Sequence, residues 1–176
     1  MPEIVPLSGI AEAEIEALLD AAFGTDRHGR TAYRLRAGMP WLPALSFAAQ
    51  QGGQLVGTLQ SWPVALATPD GGSTPLILIG PVAVLPELQR GGVGKAMMTA
   101  LIAAAEREGA DAMTMIGDPE YYDRFFGFSN AATGGWTLPG PYEQRRLLAR
   151  IARPGGLPAT GMIGPDPRYR ARRKAA

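Results

Sequence analysis

Apolar positions recur at three- and four-residue spacing between Ala11 and Phe23. Ile15, Leu18, Leu19, Ala22 and Phe23 share one face, and Glu12, Glu14 and Glu16 come early in the stretch. The pattern predicts an amphipathic helix with acids near its positive end, stopped by Gly24. A second helical stretch, Thr31 to Ala37, is short because Pro40 and Pro43 follow it. The period then changes: Leu45 to Gln50 and Gln54 to Leu66 read as strands joined by Gly52-Gly53, a hairpin signal. A polar, glycine-containing segment, 69–75, leads into an apolar, β-branched strand from Leu76 to Val84. The best-defined helix runs from about Gly92 to Glu108, with Val93, Met97, Ala100, Leu101 and Ala104 along one face and Gly109 at its end. Ala112 to Ile116 reads as a buried strand, and Asp118-Pro119 opens a short helix through Tyr121, Tyr122, Phe125 and Phe126 that Gly127 closes. Late strands are expected near 128–138 and 146–152. Residues 154–176, rich in Pro, Gly and Arg, read as a tail behind a domain spanning 1–153.

With 176 residues and 46% hydrophobic content, the chain can build one ordinary α/β domain around a single core. It contains no cysteine, which excludes disulfides, thiolate metal sites and cysteine nucleophiles. Its one histidine, His28, cannot make a cluster, so no metal is expected. No apolar run approaches a membrane span, and the N-terminus lacks a basic-then-apolar leader, so a cytoplasmic protein with no membrane partner is expected. The formal charge of +1 hides an asymmetry. Of 17 basic and 16 acidic residues, five basic ones (Arg168, Arg170, Arg172, Arg173, Lys174) and one acid, Asp166, lie beyond position 165, leaving 12 basic against 15 acidic, net −3, in the body. A basic tail raises a nucleic-acid hypothesis with salt-dependent binding. The simpler reading is a solvated terminal charge run, since the body has no basic stripe interleaved with aromatics.

Chemistry concentrates in Pro81 to Met98, PVAVLPELQRGGVGKAMM, where an apolar strand meets a glycine-rich turn that opens a helix. The first amides of a helix have no internal partner and sit at the positive end of its dipole, so this junction can hold a phosphate. It is not a Walker loop: Gln89 stands where the first glycine should be, and Ala96 follows Gly94-Lys95 in place of a hydroxyl. Nor is it a dinucleotide fingerprint, because Met97 occupies the position of the third small residue. A Ser/His hydrolase is disfavoured by the lack of a Gly-x-Ser-x-Gly elbow and by His28 being the sole histidine. Gly80-Pro81 marks an edge or a bulge in the preceding strand, because proline cannot donate to a ladder.

Gln89, Gly92 and Gly94 match position by position the pattern Gln or Arg, two residues, Gly, one residue, Gly or Ala. The segment therefore resembles the acyl-CoA pyrophosphate loop of the GNAT superfamily of N-acetyltransferases. The resemblance covers roughly residues 3–152 and implies that family's α/β fold, a mixed sheet with helices on both faces. It further implies acetyl-CoA as acyl donor, with the backbones of Val82, Ala83 and Val84 along pantetheine and the Val84 amide as a candidate donor to the thioester oxygen. Gln89, Arg90, Gly91, Gly92, Val93, Gly94 and Lys95 would then cradle the pyrophosphate. Many family members carry a tyrosine four residues before the glycine of a Gly-Phe pair, placed to protonate the departing sulfur. Here that position is Asp123, and Tyr122 lies five residues before Gly127. A local bulge or a longer helix would restore the register, making Tyr122 the favoured acid and Tyr121 the reserve. The general base stays open among Glu87, Asp26, His28 and Asp118, with none assigned. The resemblance implies direct transfer to a small-molecule or peptide amine and allows a homodimer. A non-catalytic acyl-CoA sensor with the same fold is the alternative.

Overall fold

The Gly52-Gly53 hairpin forms as expected, with both glycines at positive φ (58° and 79°), the conformation a two-residue turn between twisted strands requires. In the computed structural model, which describes residues 1–169, the elements run β1 (Glu3–Pro6), α1 (Glu12–Phe23), α2 (Thr31–Leu35), β2 (Phe47–Gln51), β3 (Gln54–Ala67), β4 (Ser73–Val84), α3 (Val93–Glu108), β5 (Ala112–Ile116), α4 (Pro119–Phe126), β6 (Gly135–Thr137), β7 (Leu147–Ile151) and β8 (Thr160–Pro165). The sheet is mixed and open, flanked by helices, with hydrogen-bonded order β1-β2-β3-β4-β5-β7; β8 pairs with β3 and β6. β4 and β5 are parallel, as are β6 and β8, whereas β1–β2, β2–β3, β3–β8 and β5–β7 are antiparallel. No helix among the described residues is long and apolar enough to cross a membrane.

The chain divides into two compact units that alternate along the sequence. The first takes Met1–His28, Trp41–Ser61 and Ile79–Gly109. Its core joins Leu7, Ile15, Leu18 and Leu19 to Ala48 and Ala83, so the spacing read in α1 is the face it buries. α3 buries Val93, Met97, Met98, Leu101, Ala104 and Ala105. Gly57 on β3 admits that packing. A Cβ there would come within 2.9 Å of Met97 Cε and 3.1 Å of Val93 Cγ1, so a bare backbone at this point lets the first turns of α3 lie close to the strand.

Arg27 is buried in this unit, donating to the carboxylates of Glu16 and, at 3.0 Å, Asp20, one turn apart on α1. Both acids keep roughly two-fifths of their side-chain exposure. Arg27→Ala therefore releases carboxylates that water already reaches and is expected to cost about 2 kcal/mol. Replacing both acids by alanine deprives a buried guanidinium of two counter-charges and should cost more, about 3–5 kcal/mol. Denaturant unfolding of the two variants checks the order.

The second unit takes Gly29–Pro40, Trp62–Leu78 and the chain from Ala110 onward. Its core packs Leu35, Val64, Leu66, Leu76, Leu78, Trp136, Leu138, Leu147 and Ile163. Trp136 is fully buried, and its indole N–H donates to the Pro158 carbonyl at 2.9 Å.

Several expectations change here. β1 and β8 are strands that the periodicity did not show, and β8 lies inside the stretch read as tail. Only Gly135–Thr137 forms a strand in the 128–138 region, apart from an isolated bridge between Ser129 and Ala149, because glycine and a buried Thr133 turn break its alternation. β4 begins at Ser73, taking in part of the expected linker. Of the basic tail, Arg168 is ion-paired with Asp166 at 3.3 Å; Arg170, Arg172, Arg173 and Lys174 lie outside the described residues.

Candidate functional site

β4 delivers Val82, Ala83 and Val84 at its end. Ala83 is buried in the core, and Val82 and Val84 alternate to the other side and are half-buried. The exit is tied down at two points: the Leu85 amide donates to the Val56 carbonyl at 3.0 Å, and the Gln89 side-chain amide reaches back to the Val84 carbonyl at 3.4 Å. Gln89 therefore braces the loop from within. A short 3-10 helix, Pro86–Leu88, follows, and the Gly91 amide donates to the Leu88 carbonyl at 3.1 Å.

Arg90 has φ 76°, the one non-glycine residue with positive φ among those described. Such a conformation is uncommon outside glycine and costs about 1 kcal/mol. Gly92, with φ 81°, caps α3 in the left-handed region, and Val93 enters the helix directly after it. A left-handed residue followed by a helical one turns successive amides toward a common point, the geometry of an anion nest. Gly92 has no side chain to accept from those amides, and the first in-helix bond of this turn is Ala96 N–H to Gly92 O at 3.0 Å. The helix thus presents the amides of Val93 and Gly94 at its positive end without a capping side chain. Gly94 is not in the left-handed region; a Cβ there would touch Val84 Cγ2 at an ordinary 3.8 Å. Arg90 and Lys95 add exposed positive charge on either side.

The two tyrosines belong to the second unit, on α4. Asp118 caps this helix by accepting from the Glu120 amide at 3.1 Å. At the other end the Gly127 amide donates to the Asp123 carbonyl and the Phe128 amide to the Tyr122 carbonyl at 3.2 Å, a regular left-handed glycine terminus. Of the two routes to a restored register, a local bulge or a longer helix, neither is seen: α4 is an ordinary α-helix, Pro119–Phe126, closed by Gly127 as read from the sequence. Tyr121 and Phe125 are the exposed members of the aromatic set. Tyr122 is largely covered, its ring edge-on to Tyr121 at 5.0 Å between centroids.

Burial pushes the Tyr122 phenol from 10.0 up to about 12, helped by Tyr121 and Asp118 and opposed by the Arg146 charge. The sign follows from the phenolate being the form that burial penalises. Below pH 10 both folded and unfolded chains hold the proton. Between about 10 and 12 the unfolded chain gives it up first, so stability falls as pH rises through that window. A tyrosinate absorbance titration of the native protein is expected to show one of its five tyrosines ionising last, near 12.

Among the base candidates, hydrogen bonding with Glu120 holds the Asp118 carboxyl below its usual range, aided by the Arg145 and Arg146 charges against an opposing effect of burial. A carboxylate committed to capping and held low is a poor proton acceptor. Asp26 and His28 lie in the 3-10 helix Thr25–Gly29, and Glu87 in the 3-10 helix after β4. Val82 to Lys95 thus lie together in one unit, and Tyr121 and Tyr122 lie in the other. Gly117, against which the Tyr122 ring lies, and Arg146, whose charge acts on its phenol, went unnoticed in the sequence because neither carries a motif.

Comparison with known families decides the kinship: the model of the GNAT acetyltransferase family matches residues 9–128, more than half of the chain. The chain belongs to the GNAT acetyltransferase family. Two solved structures resemble it over nearly its full length. The GNAT-family N-acetyltransferase YhbS of Escherichia coli, in complex with CoA, is 22% identical with a TM-score of 0.71, over 96% of this chain and 92% of that one. A GNAT-family acetyltransferase of Brucella melitensis, in complex with acetyl-CoA, is 24% identical with a TM-score of 0.64, over 96% and 98%. The ribosomal-protein-S18-alanine N-acetyltransferase of E. coli shares 16% identity and a TM-score of 0.52, over 90% and 99%. At these identities the likeness is one of fold, here the GNAT fold. The comparison with curated sequences returns no match.

Proposed function

We propose that this GNAT protein is an acetyl-CoA-dependent N-acetyltransferase that moves the acetyl group directly to a primary amine within a ternary complex. The observation that carries the reading is the uncapped start of α3, where left-handed Gly92 turns the Val93 and Gly94 amides outward beside Arg90 and Lys95. A pyrophosphate is a dianionic group that such a seat suits, and both solved relatives above hold CoA or acetyl-CoA. In this reading the backbones of Val82, Ala83 and Val84 run along pantetheine, and the Val84 amide polarises the thioester carbonyl. Attack by the amine forms the new C–N bond as the C–S bond breaks; the departing thiolate takes a proton from the Tyr122 hydroxyl, the nitrogen sheds its extra proton to solvent water, and the Tyr122 phenolate is reprotonated from solvent. A chain without cysteine offers no thiol to carry an acyl group, which supports direct transfer. The acceptor is a small-molecule or peptide amine.

The test is thiol release from acetyl-CoA with a panel containing a polyamine, free amino acids, a peptide with a free N-terminus and an aminoglycoside. Release with at least one amine, and acetylated product of the matching mass, supports transfer. Tight acetyl-CoA binding with no release for every amine would favour the sensor instead. The regular register of α4, which leaves Tyr122 one residue from the usual family spacing, is the observation that keeps that reading in play.

A further inference from the structure

We propose that Gly117 is a positioning residue for this reaction, its missing side chain forming the slot against which the Tyr122 ring lies; this rests on the reading of Tyr122 as the acid. Gly117 follows the last residue of β5, and both of its backbone groups are held by Arg146, in the turn just before β7. Its amide donates to the Arg146 carbonyl at 2.9 Å, and its carbonyl accepts from Arg146 Nε at 3.4 Å. With the backbone pinned, a Cβ built at 117 would sit 2.7 Å from Tyr122 Cδ2, 2.8 Å from Cε2 and 3.2 Å from Met115 Cε. The first two approaches lie well inside carbon–carbon contact distance.

The backbone gives no separate reason for glycine here. Gly92, Gly109 and Gly127 have positive φ and are required by conformation, whereas Gly117 does not. What excludes a side chain is the ring. Tyr122 cannot retreat through its own backbone, because its carbonyl accepts from Phe128 and its amide donates to Asp118 O at 2.9 Å. Tyr121 stands edge-on to the ring, and Phe126 lies tilted at 6.3 Å. An added methyl would therefore rotate the phenol out of its seat, carrying the hydroxyl with it. The charged and titratable groups acting on that hydroxyl are Tyr121, Asp118 and Arg146. Reactions that depend on a positioned proton donor lose much of their advantage when the donor is displaced by about an ångström.

The experiment compares Gly117→Ala, Tyr122→Phe and the double variant in three measurements. These are acetyl-CoA affinity by calorimetry, kcat and KM with the panel amine giving the fastest thiol release, and tyrosinate titration of the free protein. Gly117→Ala is expected to lower kcat by about tenfold or more while holding acetyl-CoA affinity within about twofold. The last tyrosine to ionise should move from about 12 toward 10. The double variant should be no slower than Tyr122→Phe alone, because the two act through one hydroxyl. Unchanged kcat together with an unchanged late tyrosine in Gly117→Ala overturns the proposal, as does a double variant slowed by the product of the two effects. If Gly117→Ala fails to fold, Tyr122→Ala and Gly117→Ala/Tyr122→Ala replace it. Equal melting temperatures for these two support the slot, since the methyl then meets no ring, and loss of folding in the double variant alone overturns it. Retained kcat in Tyr122→Phe overturns the acid role and Gly117's part in the reaction together; a shifted titration in Gly117→Ala would still report the contact, so the two failures are told apart.

Discussion

Gly94→Asp is expected to abolish acetyl-CoA binding, a loss of at least about a hundredfold or about 3 kcal/mol, without unfolding the protein. Position 94 is the second residue of α3, and its backbone tolerates a side chain, with an ordinary 3.8 Å contact to Val84 for a new Cβ. An aspartate in the first turn of a helix is locally favourable, because its carboxylate accepts from the same free amides and faces the positive end of the dipole. That is also why it destroys the site: the amides gain an internal anion, and an incoming pyrophosphate meets a negative charge. Melting temperature should hold or rise as affinity disappears. Gly94→Ala is the control, with the same backbone constraint and no charge, and should keep binding within about threefold. Gly92→Asp should lose binding too, but with some loss of stability, since φ 81° strains any side chain. Lys95→Ala removes one exposed charge and should weaken binding only about fivefold. Calorimetric titration of the four variants separates charge competition from strain.

Tyr122→Phe is expected to lower kcat by about a hundredfold while acetyl-CoA affinity stays within about twofold, since the proposed pyrophosphate seat is at the α3 amides. Phenylalanine fills the same space beside Gly117, so stability should hold. Tyr121→Phe, at an exposed position on the same helix, should change kcat by less than about threefold. The pH profile carries a second signature. A phenol pushed up to about 12 keeps its proton through the neutral range, so ionisation of Tyr122 should produce no alkaline fall in kcat below pH 10. Steady-state rates of the two variants and the wild-type profile provide the check.

Elements whose burial is periodic were legible. α1 and α3 bury the faces their spacing marked, and Gly24, Gly92, Gly109 and Gly127 bound helices at the residues expected, because each punctuates by its own conformation. β1 and β8 were not legible, for different reasons. Glu3–Pro6 is a four-residue strand with no residue fully buried, so it has no alternation to read. Thr160–Pro165 is defined by partners distant in sequence, β3 and β6, and carries glycines that look like loop composition. One of them is demanded by the sheet: a Cβ on Gly161 would come within 2.7 Å of the Ala67 carbonyl oxygen. A glycine in a strand signals close backbone approach only once the neighbouring strand is known.

The site divides the same way. The turn from Gln89 to Lys95 is local, and its glycines announced it, although the bracing role of Gln89 required the Val84 carbonyl to be located. The setting of Tyr122 was invisible, because its ring lies against Gly117, at the end of β5, and its phenol feels the charge of Arg146, from just before β7. Sequence spacing suggested a repaired register for α4, and the helix shows none; Tyr122 takes its position from the slot beside it.

In the proposed function an acyl-CoA pyrophosphate is held by the backbone at the start of α3. Amide-resolved ¹⁵N spectra recorded during an acetyl-CoA titration of the wild-type protein test it most directly. The largest shifts are expected at Gly92, Val93 and Gly94, together with slowed hydrogen exchange of the Val93 and Gly94 amides. Saturable acetyl-CoA binding that leaves those three amides unshifted and their exchange unchanged would contradict it.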